Sequence, residues 1–322
     1  MTKPIERILV TGALGQIGTE LVAALRARYG TERVVATDVR EAPQAFRESG
    51  PFHTLDVTDL AALEDVTTRY RIDTVFHLAA VLSATGEKDP VRCWEINMRG
   101  TMNVLRTGVA RGMARILIPS SIAVWGKGVP SPAPQESALK PTTMYGVTKV
   151  AGELLGDYFV RRFNLDVRGL RYPGIISAET FPGGGTTDYA VAIYYDAVRY
   201  GRYTCFVRED TRLPMMYMPD CITAIIDLAE ADFASLKHHC DFNVGSMSFS
   251  AGELAASIRR HIPDFTVEYK PDERQIIADS WPDEVDDSAA REEWGWRPRY
   301  DLEAMTADML AKLREKHARG EI

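Results

Sequence analysis

Tyr145 and Lys149 stand four residues apart, and a phenol and an ammonium at that spacing can together move a proton. The apolar set Val147, Val150, Leu154, Leu155, Phe159 and Phe163 predicts a helix over residues 144–163. On that helix Tyr145 and Lys149 lie one turn apart on the same face. A free tyrosine titrates near pH 10, so it accepts a proton at neutral pH only when its phenolate is stabilised, and a nearby cation does that. Lowering the pKa by about two pH units corresponds to roughly 2.7 kcal/mol of differential stabilisation. The expectation is a Tyr145 phenol held down by Lys149. The alternative is two polar residues meeting on an ordinary amphipathic helix, and the preceding sequence bears on the choice.

A cofactor has to be brought to that helix, and the N-terminal third carries the elements for it. The apolar run at 8–11 stops at Gly12 and is followed by Gly12, Gly15 and Gly18, with Gln16 and Ile17 between the last two, before a helical pattern at Leu21, Val22 and Leu25. Strand, glycine turn and helix in that order suit a pyrophosphate: the turn is tight, the backbone must approach the phosphates, and the helix must pack on the strand. A second apolar run at 34–37 ends in Asp38, at the place where an acidic side chain takes the adenosine ribose hydroxyls and repels a 2′-phosphate. NAD is therefore expected in preference to NADP, with Arg40 as the one residue that could accommodate the phosphate.

Further strands are predicted at 53–55, 74–78 and 115–119, separated by helices at 60–70 and 92–111, and the alternation runs on to 166–171. The fold class is α/β, a doubly wound parallel sheet whose ligands lie beyond the carboxyl ends of the strands. Those ends carry Asp56 and Val57, then Leu78, Ala79 and Ala80, then Ser120 and Ser121. Asp56 suits an adenine amino group or, equally, an N-terminal helix cap. Asn97 and Asn103 fall in the long helix, where they either tie helix to strand or face solvent.

Composition excludes several classes. A chain of 322 residues with 45% hydrophobic content can bury a large core. Its net charge of -7 is spread along the sequence without a basic block, which argues against nucleic acid or an anionic membrane as partner. There is no apolar run of membrane-spanning length, and too few residues precede the first strand for a leader. Cys93, Cys205, Cys221 and Cys240 are scattered, as expected in a reducing compartment, so a cytoplasmic location is expected. No metal site is expected, because clustered Cys and His ligands are missing. His238, His239 and Cys240 read as a polar helix end leading into a strand at 242–244, and His77 as structural.

Taken together, Gly12-x-x-Gly15-x-x-Gly18, Asn97-x-x-Gly100, the run 120–126 opening with Ser120 and Ser121, and Tyr145-x-x-x-Lys149 resemble the extended short-chain dehydrogenases/reductases, the group that includes UDP-galactose 4-epimerase. The resemblance covers almost the whole chain. In the second half, residues 171–174, 183–190, 210–220, 279–282 and 294–298 resemble the short-chain branch of L-threonine 3-dehydrogenases, which, unlike the medium-chain ones, use no zinc. That resemblance implies a Rossmann NAD-binding domain over 1–172 and a smaller C-terminal α/β substrate lobe over 173–322, with some chain crossing back. It implies oxidation of the L-threonine Cβ hydroxyl by NAD to 2-amino-3-oxobutyrate. Tyr145 would accept the proton, Lys149 would lower the Tyr145 pKa and hold the nicotinamide ribose, and Ser121 rather than Ser120 would orient the reacting oxygen.

The cofactor contacts implied are Gly12, Gly15, Gln16, Ile17, Gly18, Asp38, Asp56, Val57, Leu78, Ala79, Ala80, Asn97, Tyr145 and Lys149. Ser83, Thr186 and Thr187 would hold the amino and carboxylate groups, and a small zwitterion does need such neutral donors and acceptors at short range. A homodimer through the Tyr145 helix and the preceding long helix is implied too. The glycines at 183–185 suggest a segment that closes over substrate. A nucleotide-sugar epimerase or dehydratase would share every first-half motif but needs a diphosphate site; Leu213 stands where such relatives place an arginine, with Arg212 one step away. A non-enzymatic NAD-sensing protein would typically have lost Tyr145 or Lys149.

Overall fold

The computed structural model describes residues 3–181, 183 and 185–322; Gly184, within the segment expected to close, lies outside the described residues. Six strands form one parallel sheet: β1 (Ile8–Thr11), β2 (Val34–Asp38), β3 (Phe52–Thr54), β4 (Thr74–His77), β5 (Arg115–Leu117) and, after the short β6 (Ser120–Ser121), β7 (Val167–Arg168). Their order is β3-β2-β1-β4-β5-β7, so the chain winds outward from β1 in both directions and the switch point falls between β1 and β4. Alternation along each strand divides the core into two layers. Ile8 and Val10 of β1 and Val34 and Ala36 of β2 pack with Leu21, Val22 and Leu25 on one face, while Leu9 and Val35 pack with Leu63, Val104 and Leu105 on the other.

Four helices matter for the site: α1 (Gln16–Tyr29), α2 (Ser83–Lys88), α3 (Pro90–Arg111) and α4 (Met144–Phe163). The last has the predicted bounds. Thr143 caps it by accepting the Gly146 N–H, and Asn164 ends it in the left-handed conformation. Its apolar set divides, however. Phe159 is buried, whereas Val147, Leu154 and Phe163 are exposed together with Tyr158, and Val91, Trp94 and Val109 are exposed on α3.

The chain then builds a second core. Strands β8 (Leu170–Tyr172), β9 (Gly174–Ile176), β10 (Arg202–Cys205), β11 (Arg212–Tyr217), β12 (Phe242–Asn243), β13 (Met247–Ser250) and β14 (Thr266–Tyr269) follow. They assemble into the sheets β13-β11-β9, β10-β14 and β12-β8-β6. The last of these joins a late strand to Ser120 and Ser121. His238, His239 and Cys240 do not end a helix: the preceding helix stops at Glu230 and a 3-10 turn, Phe233–Ser235, intervenes. The His238 Nδ1 instead sits 2.6 Å from a Glu293 carboxylate oxygen. No helix among the described residues is long and apolar enough to cross a membrane.

Candidate active site

A cleft of about 520 Å³ opens at the carboxyl edge of the large sheet. At one end is the glycine turn. Gly12 has φ +69°, and a Cβ there would lie 2.7 Å from the Ala79 nitrogen; a Cβ on Gly18 would lie 2.3 Å from the Gly12 carbonyl oxygen. Side chains are excluded so that strand, turn and helix can meet. Gly15 caps α1 with no side-chain hydrogen bond, and the first turn carries no acidic residue, leaving its N–H groups and the positive end of the helix dipole for an anion.

Asp38 ends β2, buried, and accepts the N–H groups of Leu14 at 3.0 Å and Arg40 at 3.1 Å as well as the Arg40 Nε at 3.0 Å. Burial pushes this carboxyl up, but the Arg40 guanidinium and the two backbone donors outweigh it and hold Asp38 below its ordinary value. Arg40, the expected dissenter, is thus paired with the acid rather than free to meet a phosphate. Asp56 is exposed and folds back on the Thr58 N–H and hydroxyl at 2.8 and 2.7 Å; the cap of the following helix is Asp59.

At the other end the groups expected to handle the proton meet. Ser121 accepts the Ala123 N–H at 3.2 Å and hydrogen-bonds the Tyr145 phenol, whereas the Ser120 hydroxyl turns away to Glu153. Lys149 Nζ donates to the Pro119 carbonyl at 2.7 Å and lies 5.4 Å from the Tyr145 ring centroid. Burial outweighs any lowering of the phenol pKa in the cofactor-free chain. Removal from water pushes Tyr145 up to about 12, with the Ser121 hydrogen bond pulling the other way, and burial brings Lys149 down to about 8. Spacing on a helix places the two groups together but says nothing about how much water they lose, and desolvation is the larger effect.

Ser83 opens α2, buried, with its hydroxyl 3.4 Å from that of Thr186, which brings together two residues 103 positions apart. His77 is buried against Thr11 at 2.8 Å and held neutral, its pKa down to about 3 through burial and the Lys149 charge.

Gly12, Gly15, Gln16, Ile17, Gly18, Asp38, Asp56, Val57, Leu78, Ala79, Ala80, Ser83, Ser121, Tyr145, Lys149, Thr186 and Thr187 all line the cleft. Asn97 does not. Its side chain accepts the Val81 N–H at 2.8 Å and donates to the Val81 carbonyl and to Thr148 at 3.1 and 3.0 Å, so it shapes the cleft wall from behind. Gly100 serves the same packing, since a Cβ there would meet Val57 at 2.7 Å. Trp281 is one of the wall residues outside the expected set. Its indole N–H is buried without a partner among the described residues, and only the tertiary fold brings residue 281 to the site. Among the described residues no group of three metal-ligating side chains is assembled.

The arrangement fits a dinucleotide laid from Asp38 across the glycine turn to Tyr145 and Lys149. Residues 8–245 match the family model described as NAD dependent epimerase/dehydratase family, and NAD is the cofactor. An uncharacterized epimerase/dehydratase from Staphylococcus haemolyticus is 49% identical over 97% of this chain and 99% of its own length. The X-ray structure of an L-threonine dehydrogenase from Clostridium difficile superposes with a TM-score of 0.95 at 48% identity, over 98% of this chain and 99% of that one. A monomeric L-threonine 3-dehydrogenase from a metagenome database does so with a TM-score of 0.93 at 48% identity, over 96% and 99%. With a glycine turn that admits no side chain, an acid at the end of β2 and a Tyr-Lys helix facing them, the chain belongs to the NAD dependent epimerase/dehydratase family.

Proposed function

We propose that this protein is an L-threonine 3-dehydrogenase, oxidising the Cβ hydroxyl of L-threonine to give 2-amino-3-oxobutyrate. The observation that carries the substrate is the catalytic end of the cleft, where Ser83 and Thr186 approach within 3.4 Å beside Tyr145 and Ser121. Neutral hydroxyls at that range suit an ammonium and a carboxylate on one carbon. Likeness to the Clostridium difficile enzyme supports the same reading. A nucleotide sugar is disfavoured because Arg212 donates to the Ser248 carbonyl at 2.9 Å and to Glu253 at 2.6 Å, while Leu213 beside it is buried. Neither supplies a diphosphate contact.

NAD, held by the glycine turn at Gly12, Gly15 and Gly18 and by Asp38, Tyr145 and Lys149, would supply the acceptor for the hydride on Cβ. Tyr145, as phenolate, takes the hydroxyl proton while the Cβ hydrogen departs with its electron pair as hydride, so one hydride and one proton leave the alcohol and a ketone remains. Ser121 orients the reacting oxygen toward Tyr145, and Lys149 supplies the positive charge that the phenolate needs. Asp38 accepts hydrogen bonds from the adenosine ribose. Residues 1–172 form most of the cofactor domain and 173–322 the substrate lobe, with the chain crossing back where Met218, Ile225, Leu228, Phe242 and Trp296 pack on the large sheet.

The test is NADH absorbance with L-threonine across pH. Because Tyr145 sits near 12, its phenolate fraction grows about tenfold per pH unit below that value. Turnover is expected to climb from the acid side and then to flatten as Lys149 loses its proton near pH 8. Silence with threonine from a folded, NAD-binding protein, joined by heat protection from a UDP-sugar, would move the substrate to the nucleotide sugars.

We further propose a homodimer through α3 and α4. Trp94, Leu154, Tyr158 and Phe163 are 44, 65, 54 and 42% exposed, and apolar side chains of this size concentrated on two adjacent helices are a surface to be covered. Sedimentation of the wild type as a dimer of the 35.9 kDa chain, and of Leu154→Glu as a monomer, is the expected pair of results. A wild type that sediments as a monomer, as the metagenome relative is described, would refute it.

A further inference from the structure

Directly behind Lys149 lies a buried ionic network that the proton-transfer scheme does not use. Glu153 stands one turn further along α4, on the same face, and is 7% exposed. Its two carboxylate oxygens accept the Arg171 Nε at 2.9 Å and Nη2 at 2.8 Å, and one also takes the Ser120 hydroxyl. Arg171 in turn donates to the Gln135 carbonyl at 3.0 Å and the Asn243 side-chain oxygen at 3.1 Å. Burial raises Glu153 above its ordinary value, and the Arg171 guanidinium and the Ser120 hydroxyl oppose that by donating to the ionised form. Lys149 and Glu153 line one small cavity of about 20 Å³ beside the cleft, with His77, Ser120 and Cys240 also on its wall. That is room for a single water.

We propose that Glu153 is a positioning residue for the proton transfer: anchored by Arg171 and Ser120, it is the counter-ion that keeps Lys149 protonated at the cofactor. Among the described residues, the charged and titratable groups around Lys149 are Tyr145 and Glu153 on its own helix, Cys93 on α3, His77 on β4, which is neutral, Cys240 on the shared cavity wall, and, behind Glu153, Arg171 on β8. Glu153 is the one carboxylate among them. Burial alone drives the ammonium toward its neutral form, and Glu153 opposes that, with the Cys93 contribution smaller. Asp241, 3.6 Å from Arg171, shares the same guanidinium and acts on Glu153 rather than on Lys149. The pairing has a second consequence. Ser120 is held by Glu153 while its neighbour Ser121 bonds Tyr145, so the same carboxylate fixes the strand end that orients the reacting oxygen.

Because the scheme rests on Tyr145 and Lys149 acting as proposed above, the decisive readout does not use turnover. Lys149 in the cofactor-free protein can be labelled with acetic anhydride at a series of pH values and the modified peptide quantified by mass spectrometry, which gives its titration midpoint. Glu153→Gln is expected to lower that midpoint by about one pH unit, and Glu153→Asp by less. The pair E153M/R171M removes the counter-ion without leaving a buried arginine unpaired, so it serves where Glu153→Gln fails to fold. In turnover assays the alkaline limb of the kcat/KM profile should move down by the same amount. An unchanged midpoint in a folded variant overturns the proposal, even if activity falls uniformly at every pH, since a uniform fall is what a merely structural role gives. Failure of threonine as substrate would leave the labelling result intact and would count against the function alone.

Discussion

Tyr145→Phe is expected to lower kcat and kcat/KM together by about 10²- to 10⁴-fold, the range that positioned acid–base groups contribute. The substitution deletes one oxygen and leaves the ring, which packs against the second core. The fold and the cofactor affinity should survive, as judged by an unchanged melting temperature and NAD-induced stabilisation. The oxygen matters because it is the basic atom facing the cleft beside Ser121. Lys149 cannot replace it, since its ammonium donates to the Pro119 carbonyl and has no lone pair while charged. The high pKa of the phenol sharpens the expectation. A site that holds Tyr145 near 12 keeps little phenolate near neutrality, so on the proposed mechanism the wild-type rate is expected to depend on the small ionised fraction and on the positive charge that NAD would add. A Tyr145→Phe variant retaining more than about a tenth of wild-type kcat/KM, well above the range for a lost acid–base group, would remove Tyr145 from the reaction and send the search for a base elsewhere on the cleft wall.

What the sequence made legible was whatever is settled within a turn or a strand. Gly12 and Gly18 could be read because backbone contact at a tight turn excludes a side chain locally, and Tyr145 and Lys149 because one helix places both. The place of Asp38 on the cleft wall could be read because parallel strands of a doubly wound sheet end at the cleft. Properties decided by distant chain were not accessible in this way. The desolvation that raises Tyr145 depends on surroundings that no helical spacing reports. Asn97 belongs to a motif and looked like a ligand, yet its amide is consumed by the Val81 backbone and Thr148, a loop and a second helix. Trp281 arrives at the cleft from the far end of the chain, and Glu153 meets Arg171 only because β8 runs beside β6. The apolar residues of α4 illustrate the same limit from the other side. Val147, Leu154 and Phe163 fit a helix repeat and predicted the helix correctly, but periodicity could not say that they are exposed to solvent in the single chain.

The cofactor choice offers the sharpest test of how Asp38 and Arg40 divide their work. In the structure the two are paired, with Asp38 buried and the Arg40 side chain 61% exposed. A carboxylate at the end of β2 accepts hydrogen bonds from the ribose hydroxyls, each worth about 1.5–3 kcal/mol when one partner is charged, and repels a 2′-phosphate at the same place. Asp38→Ala removes both effects and releases Arg40, whose planar guanidinium suits a phosphate better than a hydroxyl. NAD should therefore bind about 10- to 100-fold more weakly while NADP improves, so the ratio of kcat/KM for NAD over NADP is expected to fall by at least about 100-fold. Arg40→Ala alone should leave NAD use nearly unchanged, because an exposed ion pair contributes little. Adding Arg40→Ala to Asp38→Ala separates the two contributions: the loss toward NAD should persist, and most of the gain toward NADP should vanish. A ratio that stays put in Asp38→Ala would mean that the ribose hydroxyls are read by the backbone around Val39 rather than by this carboxylate, and that Asp38 serves chiefly to hold the Leu14 N–H and so the shape of the glycine turn.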